Sequence, residues 1–486
     1  MKKKIVGLAH GVFDVLHSGH LLFFKECKTH CDELIVSITD DKFVNKGPDR
    51  PIFDSNERLE LIKSFKFIDK VFINKDFTPI KLIQKLKPNY YFKGKDYSNF
   101  SNDLSGNIYK EKKIVEKYGG KILILNTKQT SSSKIINSNF NFLSEELKKT
   151  LNSIDKKSII NFFQTNNNYK SKKKILIFGE AIVDKYTYVD ILGKSQKNQI
   201  ISTHEVNKKS LGGGTILVSL FLTNFFKKID YLGIDNFINR KYYNRFFNRN
   251  IKKILIKDNK SKITIKNRFI NKDKGERLFQ NNLNNDQRLS KSGEIKLLNK
   301  FKKIIHKYDK IILFDFGHGL VSKEIINFIN KNKKNFYINC QSNSSNFGFN
   351  LATKFQGGHT ICIDEMEFRL CVSDKTSSID YLIDKNSKFI NKFKYFIITR
   401  GKEGCFYIYQ KKKHLVPAIF KLAGDTTGAG DIFFSTIIFL SVISNLGMKE
   451  KVLLSHITAG IHCSENATYK EINFNIINKI FSNLIK

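Results

Sequence analysis

Short apolar runs rich in Ile, Val, Phe and Tyr recur along most of this chain, and amphipathic stretches of helical length fill the gaps between them. In the first 137 residues the runs are KIVGLA (4–9), ELIVSIT (33–39), KVFIN (70–74), YYFKG (90–94) and KILILN (121–126). Further on come ILIFGE (175–180), IILFDFG (311–317), FYINC (336–340), HTICID (359–364) and YFIITRG (395–401). A parallel crossover needs an intervening segment to return the chain, and the helix that does so covers the sheet. The alternation therefore predicts an α/β fold with parallel sheets buried on both faces.

At 486 residues the chain is long enough for two or more domains, each with its own core. Composition marks the boundary. Residues 138–174 turn to Asn, Ser and Lys, ending in FQTNNNYKSKKK, with one periodic piece between Glu145 and Phe163, and read as a linker. The expected organisation is a domain over 1–137, the linker, and a second domain over 175–486. The tract NKDKGERLFQNNLNNDQRLSKSG reads as loop and solvated face. The longest apolar stretch, Ile432 to Ile443, is too short to span a bilayer. The opening MKKKIVGLAHGVFD loses its apolar run at His10, short of a signal peptide. Seven scattered cysteines without CxxC spacing read as reduced thiols, and a cytoplasmic location is the expectation.

Lys and Arg number 84 against 45 Asp and Glu, a formal charge of +39. Such an excess suits a polyanion partner, or else solvated faces of a chain whose Asn, Ile and Phe content matches an AT-rich genome. Only ten of the 84 are Arg, the residue used for bidentate phosphate and base recognition. Nucleic acid is thus disfavoured, anionic small substrates fit either explanation, and a membrane partner is not expected. Whether the chain forms a homodimer is open.

Two motifs carry chemistry. HGVFDVLHSGH (10–20) sits where the first strand hands over to a helix, and gathers Gly11, Phe13, Asp14, His17, Gly19 and His20 in one turn at the carboxyl edge of the sheet. Open α/β sheets bind ligands there, and a helix N-terminus offers N–H groups to phosphate. His17 and His20, three apart, face the same side and could grip one phosphate. A zinc pair is the alternative, but no third ligand has matching spacing nearby. Near the C-terminus, GDTTGAGDIFFSTIIFL (424–440) places Gly428, Ala429 and Gly430 just before an apolar helix, where the backbone can approach an anion closely. Asp431 projects from that first turn and can accept the proton of an attacking hydroxyl.

The first motif resembles the signature of the HIGH-type nucleotidylyltransferases. KGPDRPIFDSNERLELI (46–62), KPNYYFKGKDY (87–97) and TSSSKII (130–136) follow in the order and spacing of the adenylyltransferase half of the bifunctional heptose-phosphate kinase/heptose-1-phosphate adenylyltransferase family. The resemblance implies a Rossmann-like nucleotidylyltransferase domain. Within it, His17, His20 and Lys46 neutralise NTP phosphates, Gly11, Phe13, Asp14 and Arg58 line the nucleotide, and Asp96 lines the substrate. Ser131, Ser132 and Ser133 would open the last helix against the triphosphate. NTKQ (126–129) stands where glycerol-phosphate-type cytidylyltransferases carry an RTEG-like run, which favours a sugar-phosphate substrate and leaves ATP or CTP open.

The second motif resembles that of the ribokinase-like (PfkB) carbohydrate kinases. GEAIVDKYTYVD (179–190) is similar to their first strand with its sugar-contacting Asp184, LGGG (211–214) to the glycine pair, here Gly212 and Gly213, and TRGKEG (399–404) to a nucleotide-side strand. The family's substrate-binding Asn is replaced by Ile216. Its NxxE run is replaced by DEME, with Asp364 near the nucleotide and Glu367 holding Mg²⁺ through water. DFGH (315–318) lacks the companion motifs of a protein kinase. Together the two resemblances imply the two halves of the heptose enzyme in reversed order, as one bifunctional kinase and nucleotidyltransferase using ATP, and ATP or CTP, with Mg²⁺. The alternative is a polyol- or glycerol-phosphate cytidylyltransferase fused to an unrelated or decayed sugar kinase that acts as a sensor.

Overall fold

The computed structural model describes residues 4–485 except 45, 48–49, 96–106, 127–142, 167–168, 196–199, 284–286, 333–335, 421–425 and 465–471. The chain divides into two compact units. The first comprises Met1–Asn167, Ile419–Lys421 and Asn473–Lys486; the second comprises Asn168–Ala418 and Leu422–Ile472.

The first unit is built on five parallel strands, β1 (Val6–Gly11), β2 (Glu33–Thr39), β3 (Lys70–Asn74), β4 (Tyr90–Gly94) and β5 (Lys121–Leu125), in the order β3-β2-β1-β4-β5. Because side chains alternate across a strand, Leu8, Ile35 and Tyr91 pack on one face and Ala9, Val36 and Phe92 on the other. With both faces covered, the inner strands β2 and β4 read as continuous apolar runs, which is why they were legible. The chain reverses direction across the sheet between β1 and β4, and the turn after β1 therefore opens onto the crevice of a doubly wound sheet.

The expected linker is folded. Glu145–Ser153 and Lys156–Asn166 are helices of the first unit, and so is Phe474–Leu484. Phe162 and Phe163 bury against Phe474, with ring centroids 5.7 and 6.3 Å apart. The periodic piece between Glu145 and Phe163 is thus two helices.

The second unit has a nine-stranded sheet. Its strands are β6 (Ile175–Gly179), β9 (Ile229–Asp235), β10 (Ile251–Lys257), β13 (Lys310–Asp315), β14 (Phe336–Cys340), β15 (Gly358–Asp364), β16 (Phe393–Thr399), β17 (Cys405–Tyr409) and β18 (Lys412–Val416). The order is β10-β9-β6-β13-β14-β15-β16-β17-β18, parallel up to β16 and closed by the antiparallel β16-β17-β18 meander. A second sheet of four strands, in the order β12-β11-β7-β8, is made of β7 (Ala181–Lys194), β8 (Ile201–Gly214), β11 (Thr264–Asn271) and β12 (Arg277–Leu283). β12 lies inside the Asn- and Lys-rich tract read as loop. It pairs on one side only and is exposed except at the half-buried Leu278 and Asn282, so it has no apolar run to betray it.

Ile432–Ile443 belongs to the helix Ala429–Ile443, whose residues 431–440 are all buried. It packs between the helices Thr215–Leu222 and Met448–Ser464, with Phe439 stacked on Phe225 at 3.8 Å. Its apolarity is that of a core helix. Among the described residues no helix is long and apolar enough to cross a membrane, and all seven cysteines are free.

Candidate active sites

In the first unit, His17 occupies the N-cap of the helix Ser18–Thr29, and its Nδ1 accepts the Gly19 N–H at 3.1 Å. The neutral ring therefore carries its proton on Nε2. His20 lies one turn on, its ring stacked on that of His17 with centroids 4.0 Å apart, and Phe13 meets it edge-on at 5.6 Å. Phe13 adopts φ 49°, a costly left-handed backbone for a bulky residue, while a Cβ on Gly11 would come within 2.9 Å of its ring. The buried Phe13 thus shapes the turn from within, and the half-buried Gly11 makes room for its ring.

Burial, then His17 and Lys46, push His20 down to about 3, and burial with Lys46 lowers His17. Both rings are neutral at pH 7 before a ligand binds, and the buried Nδ1 of His20 has no hydrogen-bond partner. The two rings offer N–H donors, and Lys46 supplies the fixed charge.

Two assignments are corrected. Asp14 is fully buried and accepts from Arg50 Nε at 2.8 Å and from the amides of Ile52 at 2.7 Å and Phe53 at 3.3 Å, clamping that loop. Arg58, also fully buried, donates to the carbonyls of Phe53, Val12 and Thr39 and to Asp41. Its guanidinium ties together the loops after β1 and β2 and faces protein on every side, so it supports the nucleotide site without lining it. Sequence reasoning passed over Lys93. At the carboxyl end of β4 it is buried 3.2 Å from Glu111, which also accepts from Tyr91 at 2.9 Å. Asp96 and Ser131–Ser133 lie outside the described residues.

In the second unit, Gly428 caps the helix Ala429–Ile443 at φ 80° and, as glycine, brings no side-chain cap. A Cβ there would meet Leu217 at 2.7 Å and His462 at 3.2 Å, whereas one on Gly430 would meet open space. Asp431 is 7% exposed, and its Oδ1 accepts from Gln341 Nε2 at 2.7 Å. Burial pushes its carboxyl up to about 7, Gln341 and Lys266 pull it down, and Asp184 raises it further.

Asp184 reaches this region from β7. It is ion-paired with the buried Arg268 of β11, and Lys266 lies beside it in register. Burial lowers Lys266, while Asp184 and Asp431 raise it. A Cβ on Gly213 would fall 2.0 Å from Asp184 Oδ2, so this glycine lets the carboxylate lie against the main chain. The room at Gly212 is taken by Ile216, whose Cγ2 would lie 2.3 Å from an added Cβ. From β12, Arg277 donates to the Thr427 hydroxyl beside the Gly428 turn.

Asp364 and Glu367 form a capping box on the helix Glu365–Val372: Asp364 accepts the Glu367 N–H at 2.7 Å and Glu367 accepts the Asp364 N–H at 2.8 Å. The other oxygen of Glu367 accepts from Ser342 N at 2.8 Å, and burial followed by Asp364 pushes this carboxyl up to about 8. Both oxygens already serve backbone amides. Among the described residues no group of three or more His, Cys, Asp or Glu could hold a metal ion. Glu367 thus caps this helix. Asp315 of DFGH is likewise structural, ion-paired with Lys354 and bonded to Gly317 N at 3.0 Å.

Lys266, Arg268, Asn339 and Gln341 escaped the sequence reading. The i, i+2 spacing of the two cations in TIKNRFIN, which puts them on one strand face, is the signal that could have found the first pair.

A cytidylyltransferase-like family model matches residues 8–138, and that of the pfkB family carbohydrate kinases matches residues 172–472. The bifunctional protein HldE of Caulobacter vibrioides is similar at 34% identity over 130 residues, 26% of this chain and 26% of that protein. HldE of Helicobacter pylori is 38% identical over 117 residues, 24% of this chain and 25% of the relative. These matches fall in the N-terminal part, and the chain spans about a quarter of the length of these relatives. Phosphofructokinase-2 of Escherichia coli superposes with a TM-score of 0.50 at 13% identity, covering 65% of this chain and all of that one, which establishes the fold of the larger unit as ribokinase-like. The wording of a reversed domain order is corrected: what the matches support is the content, a nucleotidyltransferase domain and a sugar-kinase domain.

Proposed function

We propose that this chain, which belongs to the pfkB family of carbohydrate kinases and carries a cytidylyltransferase-like domain ahead of it, makes activated sugars in two steps. The larger unit phosphorylates a sugar or sugar phosphate with ATP, heptose phosphate being the model. The smaller unit joins a sugar 1-phosphate to a nucleotide from ATP or CTP, releasing pyrophosphate.

The observation that carries this reading is Asp431, buried at the uncapped start of its helix and in electrostatic contact with Asp184 and Lys266. In the kinase step Asp431 takes the proton of the attacking hydroxyl, whose oxygen bonds to the γ-phosphorus as the bond to ADP breaks. Asp184 and the cations of β11 hold the sugar. Mg²⁺ enters with the nucleotide as part of the substrate.

In the transfer step an oxygen of the sugar phosphate, already ionised, attacks the α-phosphorus and pyrophosphate leaves. The N–H donors of His17 and His20 and the charge of Lys46 stabilise the added negative charge. Asp96 and Ser131–Ser133 retain the substrate and triphosphate roles that the resemblance implies. A soluble, cytoplasmic setting and a place in lipopolysaccharide or capsule sugar synthesis suit such chemistry.

The test is a mass-spectrometric screen of sugar phosphates with ATP and with CTP, scoring bisphosphates and nucleotide sugars separately. Both product classes are expected. Transfer from CTP to glycerol or polyol phosphates alone, with no sugar phosphorylated, would favour the cytidylyltransferase fused to a sensor. Ile216, filling the room beside Gly212, is the observation that keeps that second reading worth testing.

A further inference from the structure

A chain of amide side chains ends on Asp431. Asn339, 4% exposed on β14, donates from Nδ2 to the carbonyl of Cys362 on β15 at 2.9 Å. That bond fixes which way the Asn339 amide points, so its Oδ1 faces Gln341 and accepts from Gln341 Nε2 at 2.6 Å. The same Nε2 donates to Asp431 Oδ1 at 2.7 Å. Turning the Gln341 amide over would set its oxygen against two acceptors, which forbids the flip. The Gln341 backbone is tied down too, its N–H bonded to the Asp315 carbonyl at 2.9 Å. Gln341 is therefore an obligatory donor to Asp431, anchored through β13, β14 and β15, and among the described residues none forms a hydrogen bond to Asp431 Oδ2.

We infer that Gln341, oriented by Asn339, is the positioning residue of the kinase half, pinning one oxygen of Asp431 so that the other is presented to the attacking hydroxyl. The inference rests on the reading of Asp431 as the base. A donor on Oδ1 favours the ionised carboxylate, the form a base needs, and opposes the burial that raises it. The other charged or titratable groups around Asp431 are Asp184 on β7, Lys266 and Arg268 on β11, Cys362 on β15, Glu367 on the helix Glu365–Val372, and His462, bonded to the Thr427 carbonyl at 2.9 Å. None of them forms a hydrogen bond to Asp431 among the described residues, so Gln341 sets its orientation.

The experiment uses the full chain with Gln341→Leu, which keeps the bulk and removes the donor, and Asn339→Ala, which frees Gln341 to turn. Gln341→Leu is expected to lower kcat for sugar-dependent ADP formation about 10–100-fold, to leave the KM for ATP within about twofold, and to move the acid limb of the kcat profile up by about one pH unit. Asn339→Ala should move both in the same direction by less. A fall in kcat with the acid limb in place would mean a merely structural role and overturn the inference.

A second measurement needs no turnover. The difference in Tm between the parent and its Asp431→Asn variant, followed from pH 5 to 9, titrates this carboxyl, and its midpoint should rise when the comparison is repeated with Gln341→Leu in both proteins. An unmoved midpoint overturns the inference whatever the substrate. If Asp431→Asn still forms ADP, the reading of Asp431 as base fails instead.

Discussion

Replacing Asp431 with Asn should remove one activity and stabilise the fold, with a pH dependence that the site dictates. The carboxyl is 7% exposed and pushed up to about 7 from 3.8, chiefly by burial. The folded chain therefore holds a proton there that the unfolded chain has already released between about pH 4 and pH 7. Stability falls as pH rises through that window, and the whole cost is present above it. About three pH units at about 1.4 kcal/mol each bound that cost at about 4 kcal/mol. Asparagine keeps the shape without the charge, although Lys266 then loses one of its two attracting carboxylates, which returns part of the gain. A net gain of about 1–2 kcal/mol at pH 8 corresponds to roughly 1.5–3 °C in the Tm of the larger unit, shrinking towards zero at pH 5. Differential scanning fluorimetry across pH 5–8 reads this directly, and a coupled ADP assay should show a loss of about 10²–10⁴ in sugar phosphorylation. A variant equally stabilised at pH 5 and pH 8, or less stable than the parent at pH 8, would refute the reasoning about the buried charge.

Three other perturbations separate the sites. His17→Ala or His20→Ala should each lower pyrophosphate release about 10²–10³-fold while ADP formation persists, and an unchanged pyrophosphate rate would count against the histidine pair. Gly213→Ala drives a methyl to within 2.0 Å of Asp184 Oδ2, so the KM for the sugar should rise at least about tenfold with that for ATP unchanged, and steady-state kinetics with a normal sugar KM would contradict it. Arg58→Met strands buried carbonyls and Asp41 without their donor and should cost the first unit about 3–5 kcal/mol in urea unfolding, whereas an unaltered midpoint would show that the guanidinium is not the strut described.

The central strands were legible because both their faces are buried, so β2, β4 and β14 coincide with apolar runs in the sequence. The four-stranded sheet was largely hidden, since much of it faces solvent and alternates with polar residues. Arg277 and Thr427 are 150 positions apart, yet they meet beside the Gly428 turn. Motif spacing likewise singled out His17, His20 and Asp431, but it did not show that Asp14, Arg58 and Glu367 bond the backbone. A carboxylate or guanidinium has the same one-letter code whether it faces a ligand or a backbone amide, and only the packing around it says which.

Local sequence alone determined the α/β class, the turn after β1, the glycine-led start of the helix Ala429–Ile443 and the identity of the groups placed there, because these depend on periodicity and on neighbours a few residues away. Tertiary structure decided which of those groups are available for chemistry. The neutrality of the two histidines, the raised carboxyl of Asp431 and its hold by Gln341 all follow from burial and from contacts between distant segments, and no window of sequence contains them.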